Sequence, residues 1–448
     1  MYRKDSFIIK EWVKNSNKAL LVTGARQIGK TWLIRDEIDK SGYAKFEVNF
    51  IDRPDMVEYL NAEMSAEEFL TKLKMIMPQE CKPHETIVFF DEIQECPEIV
   101  TKIKFLVDEG SFKYVMSGSL LGVELKGIAS APVGYLTMLK MHPMDFEEFM
   151  IANSVSDTTL DMLKEKFETC SPVDEFLHQK LLYMFFVYLI VGGMPDAVKT
   201  YIETKDIREV DKVQRDIVEL YKEDFSQYEL EDKKLKLKSI YDIIPAELNK
   251  QNKKFVFTML DKELKFDRYE NSFLWLKDAG VALPVYNVDA PVIPLLASKS
   301  SNVFRLFAND IGLLTSAYPA ETKVELINKN GEVNNGAHFE NAVAQQLIAN
   351  GFTPYFCKKK NLGELDFVVE MNGKVVPIEV KSGKTYKAHK ALDNFMDVSD
   401  YHIEKAYVIS IGNIETTERV TYLPIYMCYL LKEKKIGKMI IDLDINGL

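Results

Sequence analysis

The chain has 448 residues, enough for about three domains at the usual 100 to 200 residues per domain. Its 47% hydrophobic, 28% charged and 11% aromatic content excludes a disordered chain, a collagen-like repeat and a coiled-coil rod. A net charge of −11 excludes a polyanion-binding surface spread over the whole molecule but leaves room for one local basic face.

The longest apolar run, Leu181 to Val191 (LLYMFFVYLIV), has 11 residues, whereas a helix needs roughly 18 to cross a bilayer. It predicts a buried core helix, and no membrane partner is expected. The opening MYRKDSFIIKEWVKN has none of the layout of a signal peptide, so the expected location is the cytoplasm. Cys81, Cys96, Cys170, Cys357 and Cys428 include no CxxC pair, and the six histidines show no HxxxH or HExxH spacing. These patterns argue against a disulfide framework and a histidine-bound zinc.

Residues 1–150 alternate strand and helix signals, the pattern of a parallel sheet flanked by helices. Five short apolar runs predict strands at 19–23 (ALLVT), 46–50 (FEVNF), 86–92 (TIVFFDE), 113–119 (KYVMSGS) and 134–139 (GYLTML), with a helix over 97–108. Residues 86–90 lack polar alternation, as in a strand covered on both faces. From about Met144 the texture turns helical, broken at Gly192-Gly193-Met194-Pro195, and 151–232 is taken as a helical region. Residues 233–327 predict three short helices and then a strand at VALPVYNV, the order of a winged helix. The stretch 328–336 (NKNGEVNNG) predicts a linker. Residues 328–448 then form a second α/β unit, with a helix at 338–349 and strands near 353–357, 364–370, 374–381 and 405–410. A helix at 387–396 precedes the last of these strands.

Gly24-Ala25-Arg26-Gln27-Ile28-Gly29-Lys30-Thr31 fits G-x-x-x-x-G-K-[ST] between a strand and a helix. Glycines let such a loop wrap a phosphate with backbone N–H groups while the helix directs its positive end at the same anion. Lys30 is then expected to neutralise the β and γ phosphates of ATP, and Thr31 to ligate Mg²⁺. A carboxylate at the end of a buried strand completes such a site. Asp91 is the expected metal holder, and Glu92 the base that orients the attacking water. Ser117 and Ser119 end the next strand, where a hydroxyl can face the γ-phosphate or form a simple turn. For an arginine finger, Arg208, Arg215 and Arg268 are candidates, each with a surface role as the alternative.

A second carboxylate group lies in the last unit. Gly363-Glu364-Leu365-Asp366-Phe367 and Ile378-Glu379-Val380-Lys381 flank an Asn372-Gly373 turn, so Asp366 can oppose Glu379 while Glu379 and Lys381 share a face. Asp366 and Glu379 can then share a divalent metal, with Lys381 positioning or deprotonating a water. Glu340, on the preceding helix, is either a further metal ligand or an exposed glutamate. From Lys358 to Lys390 eight lysines face four acids, a local +4 that suits DNA or a merely solvated face; Lys233, Lys234, Lys236 and Lys238 are a second basic cluster.

GARQIGKT, FFDEIQ, VMSGS, HPMDFEEF, VGGMPDAV, FANDIGLL, GELDF and IEVKSG stand in the order seen in prokaryotic AAA-type ATPases that join an AAA_14 core to a DUF4143 region, and nearly the whole chain resembles them. The resemblance implies an α/β multidomain protein: an AAA+ P-loop core (1–150), a helical and winged-helix middle region, and a restriction-endonuclease-like PD-(D/E)XK domain (328–448). It implies ATP and Mg²⁺ at Gly29, Lys30, Thr31, Asp91 and Glu92. It also implies nuclease-type Mg²⁺ or Mn²⁺ binding at Glu340, Asp366, Glu379 and Lys381. Many relatives carry an arginine after the glycine that precedes the fifth strand, where Tyr135 stands here. AAA+ relatives often form rings, so a homo-oligomer is compatible with the resemblance. Two functions follow: an ATPase driving a DNA-acting nuclease module, or a nucleotide switch whose nuclease-like unit only binds DNA or a protein.

Overall fold

The computed structural model describes residues 1–60, 64–119, 134–227, 231–250, 255, 270–328 and 335–434. After helix α1 (Ser6–Asn15) come β1 (Ala19–Thr23), α2 (Lys30–Ser41), β2 (Ala44–Asn49), α3 (Pro54–Leu60) and α4 (Ala66–Ile76). They are followed by β3 (Thr86–Asp91), α5 (Glu98–Glu109), β4 (Lys113–Gly118) and β5 (Leu136–Lys140). All five expected strands form, with ends shifted by one or two residues. They make one parallel sheet in the order β2-β3-β4-β1-β5. β3 is buried at every position, as its unbroken apolar run requires. Chain order reverses at β1, which lies between β4 and β5, so a crevice opens beyond its carboxyl end. The phosphate-loop motif begins at that end.

The helical region follows as α6 (Phe146–Ala152), α7 (Asp157–Glu168), α8 (Glu175–Val191), α9 (Pro195–Thr204) and α10 (Ile207–Gln227). The apolar run 181–191 forms the buried end of α8, as expected. Among the described residues no helix is long and apolar enough to cross a membrane. Next come α11 (Glu231–Leu248), α12 (Glu270–Asp278), β6 (Ala282–Val288), β7 (Lys299–Ala308), α13 (Ile311–Ser316) and α14 (Ala320–Asn328). The third helix expected for a winged helix, and most of the 328–336 linker, lie outside the described residues.

The last part holds α15 (Gly336–Ala349), β8 (Tyr355–Lys359), β9 (Gly363–Met371), β10 (Lys374–Val380), α16 (Lys390–Met396), β11 (Ala406–Ser410), β12 (Glu415–Thr416) and β13 (Val420–Pro424). These strands join β6 and β7 in one eight-stranded sheet ordered β12-β13-β11-β10-β9-β8-β6-β7. The expected boundary at 327/328 falls between strands that share this one sheet. Tyr286 and Asn287 of β6 pair in parallel with Tyr355 and Phe356 of β8. Local pattern predicts the strand VALPVYNV but carries no information about so distant a partner.

The two glycines after α8 make a joint between layers. Gly193 donates its N–H to Asp310 Oδ2 at 2.6 Å and accepts from Met144 N at 2.7 Å. Asp310 also caps α13 by accepting from Leu313 N at 3.0 Å. Burial pushes this carboxyl up to about 6 against the pull of those backbone donors. The GGMP break and the FANDIGLL segment, read separately in the sequence, are thus two halves of one contact.

Candidate nucleotide site and carboxylate pocket

The loop leaving β1 needs glycine at its ends for different reasons. At Gly24, with φ +135°, a Cβ would lie 2.5 Å from the Met141 carbonyl oxygen. Gly29 is left-handed, with φ +87°, and precedes α2 without any side-chain cap. The first N–H groups of α2 therefore stay available for an anion. Lys30, buried at the start of α2, donates Nζ to the carbonyls of Gly24 (3.0 Å) and Ala25 (2.8 Å). Burial lowers its pKa to about 8, although Glu92 and Asp91 pull the other way.

Thr31 Oγ1 donates to Asp91 at 3.1 Å, joining the loop to the end of β3. Asp91 also accepts from Asn49 Nδ2 at 3.0 Å and from Ser117 Oγ. Burial raises its pKa while the Ser117 and Thr31 hydroxyls lower it. Ser117 thus faces Asp91, not an approaching phosphate, and Ser119 accepts from Arg26 Nε at 3.2 Å. Glu92, with φ +54°, turns out of the strand and lines the cleft, where Gln94 Nε2 donates to its Oε2 at 2.7 Å. A hydroxyl beside a buried carboxylate at a loop of free N–H groups is the donor set that Mg²⁺ with a nucleotide needs, and these residues fit it.

The cleft measures about 1120 Å³, and Arg26, Gln27, Gly29, Lys30, Thr31 and Glu92 line it. Tyr2, Ile151, Pro195 and Ile202 add apolar surface suited to a base, beside the charged Asp196, Lys199 and Glu203. Ala25 and Ile28 are buried behind the loop. Sequence reasoning missed how the loop is held. Arg3 is buried and donates to Ile28 O (2.6 Å), His142 O (2.6 Å) and Glu148 Oε1 (3.1 Å). From α10, Asp224 pairs with Arg26 and Tyr221 Oη donates to Arg26 O at 3.1 Å. Burial pushes the Asp224 carboxyl up to about 6 despite Arg26. Asn309, just beyond β7, donates to the same Tyr221 hydroxyl at 3.4 Å. Of the finger candidates, Arg208 and Arg215 are exposed, paired with Asp206 and Asp211, and do not line the cleft, and Arg268 lies outside the described residues.

The second group also converges. β9 and β10 pair antiparallel with Ile378 opposite Phe367, so Asp366 and Glu379 are the next facing residues. Asp366 Oδ2 accepts from Val380 N at 3.0 Å. Lys381 Nζ meets Glu379 Oε1 at 2.7 Å, while Glu379 Oε2 is buried without a hydrogen-bond partner. Burial and then Asp366 raise the Glu379 pKa. Glu340 on α15 is buried, not exposed.

An unexpected cation occupies this pocket. Arg305 of β7, only 2% exposed, sets Nη1 3.4 Å from Glu340 Oε2, 3.8 Å from Asp366 Oδ1 and 3.3 Å from the Asp366 carbonyl. Its Nη2 pairs with Glu364, and the guanidinium lies 4.8 Å from the centre of the Phe356 ring. Among the described residues no three histidines, cysteines or acids are grouped so as to hold a metal ion. Of the residues expected to share a metal, Glu340 and Asp366 thus gather with Glu364 around a guanidinium, while Glu379 pairs with Lys381. The only sequence signal was a charge inside the apolar run VFRLFA.

A parallel sheet with this loop, Lys30, Thr31, Asp91 and Glu92 defines a P-loop nucleotide-binding fold. Residues 16–150 match the family model AAA_14, an AAA domain. Residues 183–324 and 335–428 match two domains of unknown function, DUF8612 and DUF4143. No curated protein matches significantly. Among solved structures, the Walker-type ATPase paby2304 of Pyrococcus abyssi is similar at 16% identity and a TM-score of 0.40, over 70% of this chain and 95% of that one. AMPPCP-bound DnaA of Aquifex aeolicus overlaps 74% of this chain and 89% of its own at 13% identity and a TM-score of 0.31. The RuvB Holliday junction branch migration motor of Thermotoga maritima overlaps 63% and 89% at 15% identity and 0.27.

Proposed function

We propose that the chain binds and hydrolyses ATP at the loop 24–31 and that the nucleotide state moves the carboxylate-bearing module through α10 and β7. The observation that carries this reading is the convergence of Lys30, Thr31, Asp91 and Glu92 on one glycine-bounded loop with uncapped helical N–H groups. Lys30 leaves the Gly24 and Ala25 carbonyls to meet the phosphates, regaining full charge as it does. Mg²⁺, held by Thr31 and Asp91, supplies charge neutralisation at the phosphates when bound. Glu92, steadied by Gln94, takes the proton of the attacking water. A γ-phosphate competes with Asp224 for Arg26, and Tyr221 ties that change to Asn309 at the end of β7.

The test is titration with a non-hydrolysable ATP analogue. Lys30→Ala is expected to weaken binding about 100-fold or more, because charge-assisted contacts to two phosphate groups are lost. Binding to the unaltered protein near pH 8 takes up a fraction of a proton, since Lys30 is partly neutral beforehand, and the variant loses this uptake. Equal affinity in Lys30→Ala contradicts the reading.

For the C-terminal module, the +4 surplus between Lys358 and Lys390 supports DNA as the partner. A second reading, a Mg²⁺- or Mn²⁺-dependent deoxyribonuclease, is favoured by the grouping of Asp366, Glu379 and Lys381. It requires DNA cleavage that Asp366→Asn abolishes, and no cleavage in any nucleotide state removes it.

A further inference from the structure

The carboxylate pocket holds four acidic side chains, Glu340, Glu364, Asp366 and Glu379, all of them half-buried or more. Buried carboxylates without counter-charge cost several kcal/mol each, so such a pocket demands cations. Lys381 serves Glu379 from one side and Lys358 serves Glu364 at the rim. Glu340 and Asp366 are served by the guanidinium of Arg305, fixed flat by its pairing with Glu364 and its contact with Phe356. A divalent ion would need these same oxygens. The one acceptor left buried and unpartnered, Glu379 Oε2, is too little to hold an ion alone. A second positive charge beside Arg305 would also meet direct repulsion at low dielectric.

We propose that Arg305 is a built-in counter-ion standing where a divalent metal would sit, so that the pocket takes up Mg²⁺ or Mn²⁺ only when Arg305 is withdrawn or replaced. Arg305 lies on the strand that runs into Asn309, the residue bonded to Tyr221 above the phosphate loop. The proposal concerns the pocket alone and holds whether or not the ATPase reading does.

The experiment is Mn²⁺ titration of the nucleotide-free full chain, with Asp366→Asn used to assign binding to this pocket. In the unaltered protein, Asp366→Asn is expected to leave the Mn²⁺ isotherm unchanged. Arg305→Met keeps the apolar stem against Phe356 and is expected to gain one Mn²⁺ equivalent, at least about tenfold tighter than any site in the unaltered protein. Adding Asp366→Asn removes it. Mn²⁺ should raise the melting temperature of Arg305→Met and not that of the unaltered chain. If Arg305→Met does not fold, Arg305→Gln, which keeps a donor toward Glu364 but carries no charge, takes its place, and the same gain is expected. Mn²⁺ binding to the unaltered chain that Asp366→Asn abolishes overturns the proposal. So does a folded Arg305→Met, or a folded Arg305→Gln used in its place, without an Asp366-dependent site.

Discussion

Glu92→Gln is expected to lower the turnover of ATP by about 10²- to 10⁴-fold, the usual contribution of a positioned base, while ATP affinity changes only a few-fold. The substitution conserves shape and keeps an oxygen able to accept from Gln94, so the left-handed turn that aims the side chain into the cleft survives. Only the capacity to accept a proton is lost. Phosphate release measured beside equilibrium binding separates the two effects. A variant with unaltered turnover removes Glu92 from the chemistry.

The second large effect is one of folding. A Cβ at Gly193 would lie 1.9 Å from the Met144 carbonyl oxygen and 2.7 Å from Met144 C and N, all backbone atoms that no rotamer change can move. Gly193→Ala is expected to destabilise the protein by about 3–5 kcal/mol, read from chemical denaturation, the upper end of what overpacking costs. The strain arises from overlap, because Gly193 is not among the residues with positive φ. Gly373 gives the contrast: its φ is +74° but nothing lies within 4 Å of a Cβ there. Gly373→Ala should cost only about 1 kcal/mol, the ordinary penalty of a left-handed residue. Equal effects at the two positions contradict the packing described for the GGMP joint. Because Pro195 of the same segment lines the cleft, any folded Gly193→Ala should also bind ATP more weakly.

These two positions show what could be read from the chain and what could not. The phosphate loop, Asp91 and Glu92 were legible because each signal is local: glycines at fixed spacing, and acids closing an unbroken apolar strand. The β9–β10 hairpin of the second sheet was legible for a similar reason. Asn372 and Gly373 both adopt positive φ, as a two-residue hairpin turn demands, and that turn sets Asp366 opposite Glu379. Arg305 and Asp224 were not legible. Their partners Glu364 and Arg26 are 59 and 198 positions away, and ion pairs at that range leave no periodicity. β7 escaped notice because KSSN is polar and Arg305 interrupts its apolar half. The joining of β6 to β8 was hidden in the same way, since strand propensity does not name a neighbour. Ser117 is a smaller case: its place at a strand end was clear, but the buried Asp91 beside it claims the hydroxyl.

The most direct measurement is a crystal structure of the chain with a non-hydrolysable ATP analogue and Mg²⁺. The account predicts that Lys30 Nζ has left the Gly24 and Ala25 carbonyls for the phosphates, with the triphosphate wrapped by residues 24–31 and Glu92 facing its terminal phosphate. A nucleotide bound elsewhere, or Lys30 still bonded to those carbonyls beside a bound triphosphate, would contradict it.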